Sequence, residues 1–239
     1  DSSVTGVQTC ALPIFLFTSG GEFYIPTDPS NPITPSKILI AKSTSHGSSS
    51  VAPVIIGGAI VFIEASGKVV REYVFNELEQ NFSAPNLTLL CPQVINLPVA
   101  SAMRQSRAES PAEYFYVVNG DGTMAVLSTA RDQDLTAWSV FETQGFFEDV
   151  VSLGNDVYVL VRRTINNQTY RSIEKLNYTY KLDCSAIYTN ATPKVEWSGI
   201  THLNNQTVKV IGDDFILDDE TISSNSLTTA IPISKPRPN

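Results

Sequence analysis

Apolar residues along this chain fall in short runs separated by glycine, asparagine and aspartate, the rhythm of strands and turns. Val51 to Ile56 is apolar, and Gly57-Gly58 predicts a turn. Ala59-Ile60-Val61-Phe62-Ile63 is a second strand, Ser66-Gly67-Lys68 a second turn, and Val69 to Phe75 a third strand. A second unit runs from Tyr114 to Val118, turns at Asn119-Gly120-Asp121-Gly122, and continues through Met124 to Leu127 and Ala137 to Phe141. The Asp-Gly pair is a hairpin signal, because glycine adopts positive φ at little steric cost. A third unit runs from Phe147 to Leu153, turns at Gly154-Asn155-Asp156, continues as Val157-Tyr158-Val159-Leu160-Val161, turns at Asn166-Asn167 and closes with Tyr170 to Leu176. Helical periodicity is weak throughout, and its best candidate, Asn76 to Asn81, spans about one turn.

The units align as repeats. Gly57-Gly58-Ala59-Ile60-Val61-Phe62-Ile63 lines up with Gly154-Asn155-Asp156-Val157-Tyr158-Val159-Leu160, and Arg71-Glu72 falls near Ile173-Glu174 after a longer turn. Each copy reads as a three-strand meander. Ile60 to Ile63 and Val157 to Val161 are apolar at every position, whereas a sheet with one wet face alternates; both strands are therefore expected to be buried on two faces. Meanders stacked face to face, as in β-propeller blades, bury their central strands in this way. The expected fold class is all-β, with repeated antiparallel meanders in a propeller-like arrangement; a β-sandwich core is the alternative.

The amino terminus changes the count of what belongs to the fold. Val4-Thr5-Gly6-Val7-Gln8-Thr9-Cys10-Ala11-Leu12-Pro13-Ile14 resembles the in-frame translation of a sequencing-library adapter over eleven consecutive residues. Residues 1–14 are thus expected to be an artefact, residues 15–220 an all-β tail-type domain that is a fragment of a longer protein, and residues 221–239 a poorly ordered or artefactual tail. Without Cys10, two cysteines remain, Cys91 and Cys184, in no metal-type spacing, which argues against a disulfide-stapled secreted module. The formal net charge of −8 becomes −7 once Asp1 is set aside. A mildly acidic surface disfavours nucleic acid and anionic membrane as primary partners. No apolar run approaches the ~20 residues of a membrane-spanning helix.

Several segments, in order, resemble one family. Phe15-Leu16-Phe17-Thr18-Ser19-Gly20-Gly21-Glu22-Phe23 is similar to the opening strand of tail stabilisation or nozzle proteins of short-tailed bacteriophages. Thr34-Pro35, the loop His46-Gly47-Ser48, the strand Pro53-Val54-Ile55-Ile56-Gly57 and Gly67-Lys68-Val69-Val70-Arg71-Glu72 follow as in that family. Ser83-Ala84-Pro85-Asn86-Leu87-Thr88-Leu89-Leu90, then Trp138-Ser139, Thr143-Gln144-Gly145, Arg162-Arg163, Ile173-Glu174, and His202-Leu203 with Val208 to Ile211, continue the series. The resemblance covers about Phe15 to Asp214, and Ser223 to Asn239 departs from the family's continuation. It implies β-propeller-like domains and a structural subunit of the virion tail, assembled in the bacterial cytoplasm. The intact protein would join identical copies in a ring beside the portal, adaptor and other tail proteins, with DNA only as passing cargo and no membrane insertion.

Candidate chemistry is sparse, and no catalytic, cofactor or metal residue is expected. His46 lies in a Ser/Gly loop beside Ser45 and Ser48, but a Ser–His pair needs an orienting acid and an oxyanion hole, and no Gly-x-Ser-x-Gly elbow occurs. Gly67-Lys68 lacks the rest of a phosphate loop. Asp213-Asp214 and Asp218-Asp219-Glu220 offer clustered carboxylates without EF-hand spacing and read as solvated turns. Glycoside hydrolysis needs two opposed carboxylates, and nothing singles out a pair among Glu72, Glu142, Glu148 and Glu174, which fall on strands or strand ends. Arg104 and Arg107 are expected in a loop, and Arg162, Arg163 and Arg171 around one hairpin read as partners of strand carboxylates rather than a DNA-facing set. Six Asn-x-Ser/Thr sequons, at Asn81, Asn86, Asn167, Asn177, Asn190 and Asn205, read mostly as Asn-rich turns. Behind the tail-subunit reading stand a carbohydrate-binding or glycan-cleaving β domain and a cell-surface glycoprotein module. A sugar site would need exposed aromatics on one face, and Trp138 and Trp197 are the only tryptophans.

Overall fold

The computed structural model describes residues 14–26, 33–34, 38–106, 112–165, 167–177 and 183–238. Of the segment assigned to an adapter, all but Ile14 lies outside the described residues. The fold is all-β: its sheets are antiparallel, none closes into a barrel, and no α-helix occurs among the described residues. The chain divides into two compact units. The first comprises the residues up to Glu142, Phe146–Arg162 and Ser172–Lys175; the second comprises Thr143–Gly145, Arg163–Arg171 and the residues from Leu176 onward. Each unit has hydrophobic clusters of its own.

The first unit begins with a three-stranded sheet of β1 (Ile14–Thr18), β2 (Gly21–Ile25) and β3 (Ala41–Thr44). The segment Phe15 to Phe23, expected as one opening strand, is a hairpin, because Ser19-Gly20 turns the chain and Thr18 pairs with Gly21. Next comes a four-stranded sheet of β4 (Val54–Ile56), β5 (Ala59–Ile63), β6 (Val70–Asn76) and β7 (Asn81–Ser83). Gly57 and Gly58 have φ of 54° and 80°, the two positive values that a tight hairpin twisting with its strands requires, and Ile56 pairs with Ala59 across them. The helical candidate Asn76 to Asn81 is the β6–β7 turn: the Asn76 Oδ1 accepts the amides of Leu78 and Glu79, which competes with helix continuation.

The third sheet holds β8 (Ala100–Arg104), β9 (Glu113–Val118), β10 (Met124–Ala130) and β11 (Leu135–Phe141), in sequence order. The expected turn at 119–122 is a five-residue loop, with Val118 paired to Met124. Buried Asn119 fixes this loop: its Oδ1 accepts the Asn96 amide, and its Nδ2 donates to the Val94 carbonyl and the Thr123 hydroxyl. The fourth sheet is β12 (Phe146–Leu153), β13 (Asp156–Ile165) and β14 (Gln168–Lys175).

The sheets of this unit stack in chain order. Val61, Ile63 and Val70 of the second sheet bury against Phe115, Val117, Ala125 and Leu127 of the third. On the opposite face, Phe62 and Tyr73 meet Phe15 and Phe17 of the first sheet, with Phe15 edge-on to Tyr73 at 5.6 Å. β5 is therefore covered on both faces, as expected. Full burial of each of Val61, Phe62 and Ile63 contributes about 1.5–3 kcal/mol. The first strands approach one another from sheet to sheet, β4 beside β8 and β8 beside β12, while β3 lies beside β7 at the other edge.

β13 corrects the second expectation. Val157, Val159 and Val161 are buried, but Tyr158 and Leu160 are only half-buried, so the strand has one covered face and one partly open face. An unbroken run of Val, Tyr and Leu does not reveal this, because the open face carries apolar residues as well.

The second unit adds β15 (Lys194–Ser198), β16 (Thr207–Val208), β17 (Val210–Gly212), β18 (Phe215–Ile216), β19 (Glu220–Thr221), β20 (Ser226–Ile233) and β21 (Pro236–Pro238). Their pairings are β15–β20, β16–β19 and β18–β17–β21. The core is Trp197, Ile200, Val208, Val210, Ile222, Leu227 and Ile233. Residues 221–239, expected to stand outside the fold, instead supply β20 and β21, and Leu227 and Ile233 are buried in that core.

Candidate functional surfaces

The Ser/Gly loop at His46 is a structural bridge. The Ser48 amide donates to the Thr18 carbonyl at 2.8 Å, and the Ala65 amide donates to the Gly47 carbonyl at 3.0 Å, joining the first two sheets. Gly47 has φ of 74°, and a Cβ there would lie 2.3 Å from the Ser19 carbonyl oxygen, so only glycine fits. The Ser48 hydroxyl donates to the Ser49 carbonyl at 3.3 Å. The imidazole of His46 is on an exposed residue, while its backbone amide donates to buried Glu22 at 3.3 Å. This geometry positions backbone rather than activating a nucleophile.

Three of the four strand carboxylates have a side-chain partner. Glu72 pairs with Arg131 at 2.9 Å and Glu148 with Arg162 at 2.8 Å, and Glu174 accepts from the Ser172 hydroxyl at 2.7 Å. Arg131 also donates to the Gly57 carbonyl at 3.0 Å, so one guanidinium ties the β4–β5 turn and β6 to the end of β10. Glu142 is exposed. Among the arginines, Arg163 is buried, lies 3.6 Å from Asp183 and donates to the Gln144 carbonyl. Arg104 is buried with its guanidinium 4.6 Å from the Tyr114 ring centre. Arg107 lies outside the described residues, and Arg171 is exposed.

Both tryptophans belong to cores. The Trp138 indole donates to the Leu87 carbonyl at 3.0 Å and packs on the first core, and Trp197 is 2 % exposed with the Lys194 ammonium 4.4 Å from its ring centre. Trp138 is half-buried and Trp197 is buried. Burial pushes the Cys91 thiol up, away from thiolate chemistry, and Cys184 has a left-handed backbone with φ of 46°. Burial also raises the Tyr73 hydroxyl, against the opposing hydrogen bond to Ser43 at 2.5 Å.

The acidic turns are structural in part. Asp213 and Asp214 turn β17 into β18 with φ of 47° and 70°, the Asp213 carboxylate accepts the Ser234 amide at 2.9 Å, and Asp219 lies 3.8 Å from Lys209. Among the described residues, no group of three or more His, Cys, Asp or Glu side chains is arranged to hold a metal ion. A cleft of about 310 Å³ in the second unit is lined by Arg163, Asp183, Cys184, Gln206, Lys209 and Asp219. Its charges are paired, Arg163 with Asp183 and Lys209 with Asp219, and leave little net field to attract an ion.

The Asn86 sequon has a local physical reason. The Asn86 Oδ1 accepts both the amide and the hydroxyl of Thr88, at 2.7 and 2.9 Å, closing a turn on a buried threonine. Asp121 and Thr123 form the same motif with an aspartate, at 3.0 and 2.7 Å. Burial works against the Asp121 carboxylate, but hydrogen bonds from Asn96 and Thr123 outweigh it and hold the group below its ordinary range. Asn-x-Thr is thus useful to this fold as a turn, independently of any glycan.

The segments that align as repeats fall on matching elements of the second and fourth sheets. Gly57 and Gly154 each stand between the first and second strand of a meander, and Arg71-Glu72 and Ile173-Glu174 each lie on a third strand. No protein-family model matches the chain, and no curated protein matches it.

Proposed function

We propose that this chain is a structural building block of a bacteriophage tail, part of the ring or tube through which DNA leaves the capsid below the portal, and that its stacked meanders are propeller-like blades. The observation that carries this reading is the order of the family-like segments from Phe15 to Asp214. The repeat geometry supports it: β4, β8 and β12, the first strands of three successive sheets, lie beside one another, as the inner strands of radial blades do. The role is assembly with identical copies and with portal, adaptor and tail proteins, in the virion tail, with DNA passing through. A net charge of −8 suits a wall along which DNA slides without sticking.

The test offers the purified protein two partners, tail-less DNA-filled capsids of a short-tailed phage and surface glycans of its host. Stable co-sedimentation with capsids is expected. Glycan cleavage without capsid binding overturns the reading in favour of an enzyme.

A further inference from the structure

A cleft of about 220 Å³ opens in the first unit where the second and third sheets meet, between the end of β4 and the β10–β11 connection. Its floor is apolar: Ile56, Val61 and Leu127 are each 2 % exposed or less, and Leu87 is half-buried. Its walls are polar and carry Glu72, Thr129, Arg131 and Asp134.

The charges of these walls do not balance. The Arg131 guanidinium lies 2.9 Å from the Glu72 carboxylate and donates to the Gly57 carbonyl at 3.0 Å, so it is committed to the fold. Asp134 has no cation within pairing distance among the described residues. Glu113, paired with Thr129 across the sheet, has none either. Its carboxylate stands at the same corner: a Cβ on Gly57 would lie 2.6 Å from the Arg131 Cδ and 3.2 Å from the Glu113 Oε2. One cation thus faces three carboxylates.

Thr129 is an independent pointer to a ligand. It is 8 % exposed, yet its hydroxyl has no hydrogen-bond partner among the described residues. Buried polar groups are normally paired, and this one lines the cleft. The excess of carboxylates disfavours an anion, and a neutral polyol would leave Asp134 unbalanced. A metal ion lacks a group of three ligating side chains among the described residues. A primary ammonium brings one positive charge and three N–H donors, for which the Asp134 and Glu72 carboxylates and the Thr129 hydroxyl are acceptors. A short alkyl chain on it would cover the apolar floor.

We propose that this cleft binds the ammonium end of a small primary alkylamine, with Asp134 as counter-charge and Thr129 as hydrogen-bond acceptor. The site lies within one unit and is independent of the assembly reading, so either can fail without the other.

The test titrates the full chain with butylamine and follows backbone amide shifts by heteronuclear NMR. Butan-1-ol offers the same shape without charge, and tetramethylammonium offers charge without an N–H donor. Butylamine should give saturable shifts centred on Glu72, Thr129 and Asp134, and neither control should saturate. Asp134→Asn keeps a residue type tolerated in the left-handed conformation of this position, φ 50°, and should weaken binding about tenfold or more. Thr129→Val keeps the side-chain shape and should weaken it several-fold. Circular dichroism verifies that both variants fold. Absence of saturable butylamine binding overturns the proposal. So does tetramethylammonium binding as tightly as butylamine, or butylamine binding that survives both substitutions unchanged, since either marks diffuse attraction to an acidic surface.

Discussion

The sharpest perturbation distinguishes the two faces of β13. Val159 is 2 % exposed and pairs with Val150, itself 5 % exposed; Val151, the next residue on β12, points to the other face and is 57 % exposed. Val159→Asp forfeits the burial of a valine, about 1.5–3 kcal/mol. It also strands an unpaired carboxylate, whose effective desolvation adds several kcal/mol. The sum, on the order of 5 kcal/mol or more, reaches the whole stability of an ordinary domain, ~5–15 kcal/mol. Val159→Ala removes part of the same contacts and should cost about 2 kcal/mol. Val151→Asp makes the same chemical change on the open face and should stay within ~0.5 kcal/mol. Urea denaturation of dilute protein, followed by circular dichroism and tryptophan fluorescence, reads all three. A Val159→Asp variant that unfolds at the wild-type midpoint, or a Val151→Asp variant that does not fold, refutes this assignment of faces.

Two further outcomes follow from local geometry. Gly47→Ala places a Cβ 2.3 Å from the Ser19 carbonyl in a left-handed conformation, so the urea midpoint should fall by the equivalent of roughly 2 kcal/mol or more; an unchanged midpoint contradicts the bridge between the first two sheets. Asp121 is held ionised by Asn96 and Thr123, so its contribution is present above the unfolded carboxylate value of about 3.9 and is lost as pH falls through the lower folded value. The stability gap between the wild type and Asp121→Asn should therefore narrow on acidification from pH 6 to pH 3, and a gap that widens reverses the sign.

Much of the first unit is legible because its turns carry specific chemistry. Gly57-Gly58 and Gly154-Asn155 mark the first turn of two meanders, and the bounds of β5 follow from its apolar run. Three features escape such reading. β8, Ala-Ser-Ala-Met-Arg, is too short and polar to stand out. β13 hides its half-open face behind a continuous apolar run. The second unit is built from strands of two or three residues: Val208 and Val210 read as one strand, yet they belong to β16 and β17, which pair with different partners. β20 is disguised by Ser, Thr and Pro, and its burial of Leu227 and Ile233 depends on Trp197 and Val210 far away in the chain. The functional surfaces were less legible still, because Trp138, Trp197 and most of the strand charges serve packing and pairing inside the fold, and their sequence positions do not distinguish that use from a ligand site.

The central proposal is tested most directly by electron cryomicroscopy of intact short-tailed particles carrying this protein. Density below the portal should accommodate the four stacked sheets from β1 to β14, repeated around the tail axis with DNA passing through the centre. Density for these sheets only on peripheral host-binding appendages, with the exit tube built from other chains, contradicts it.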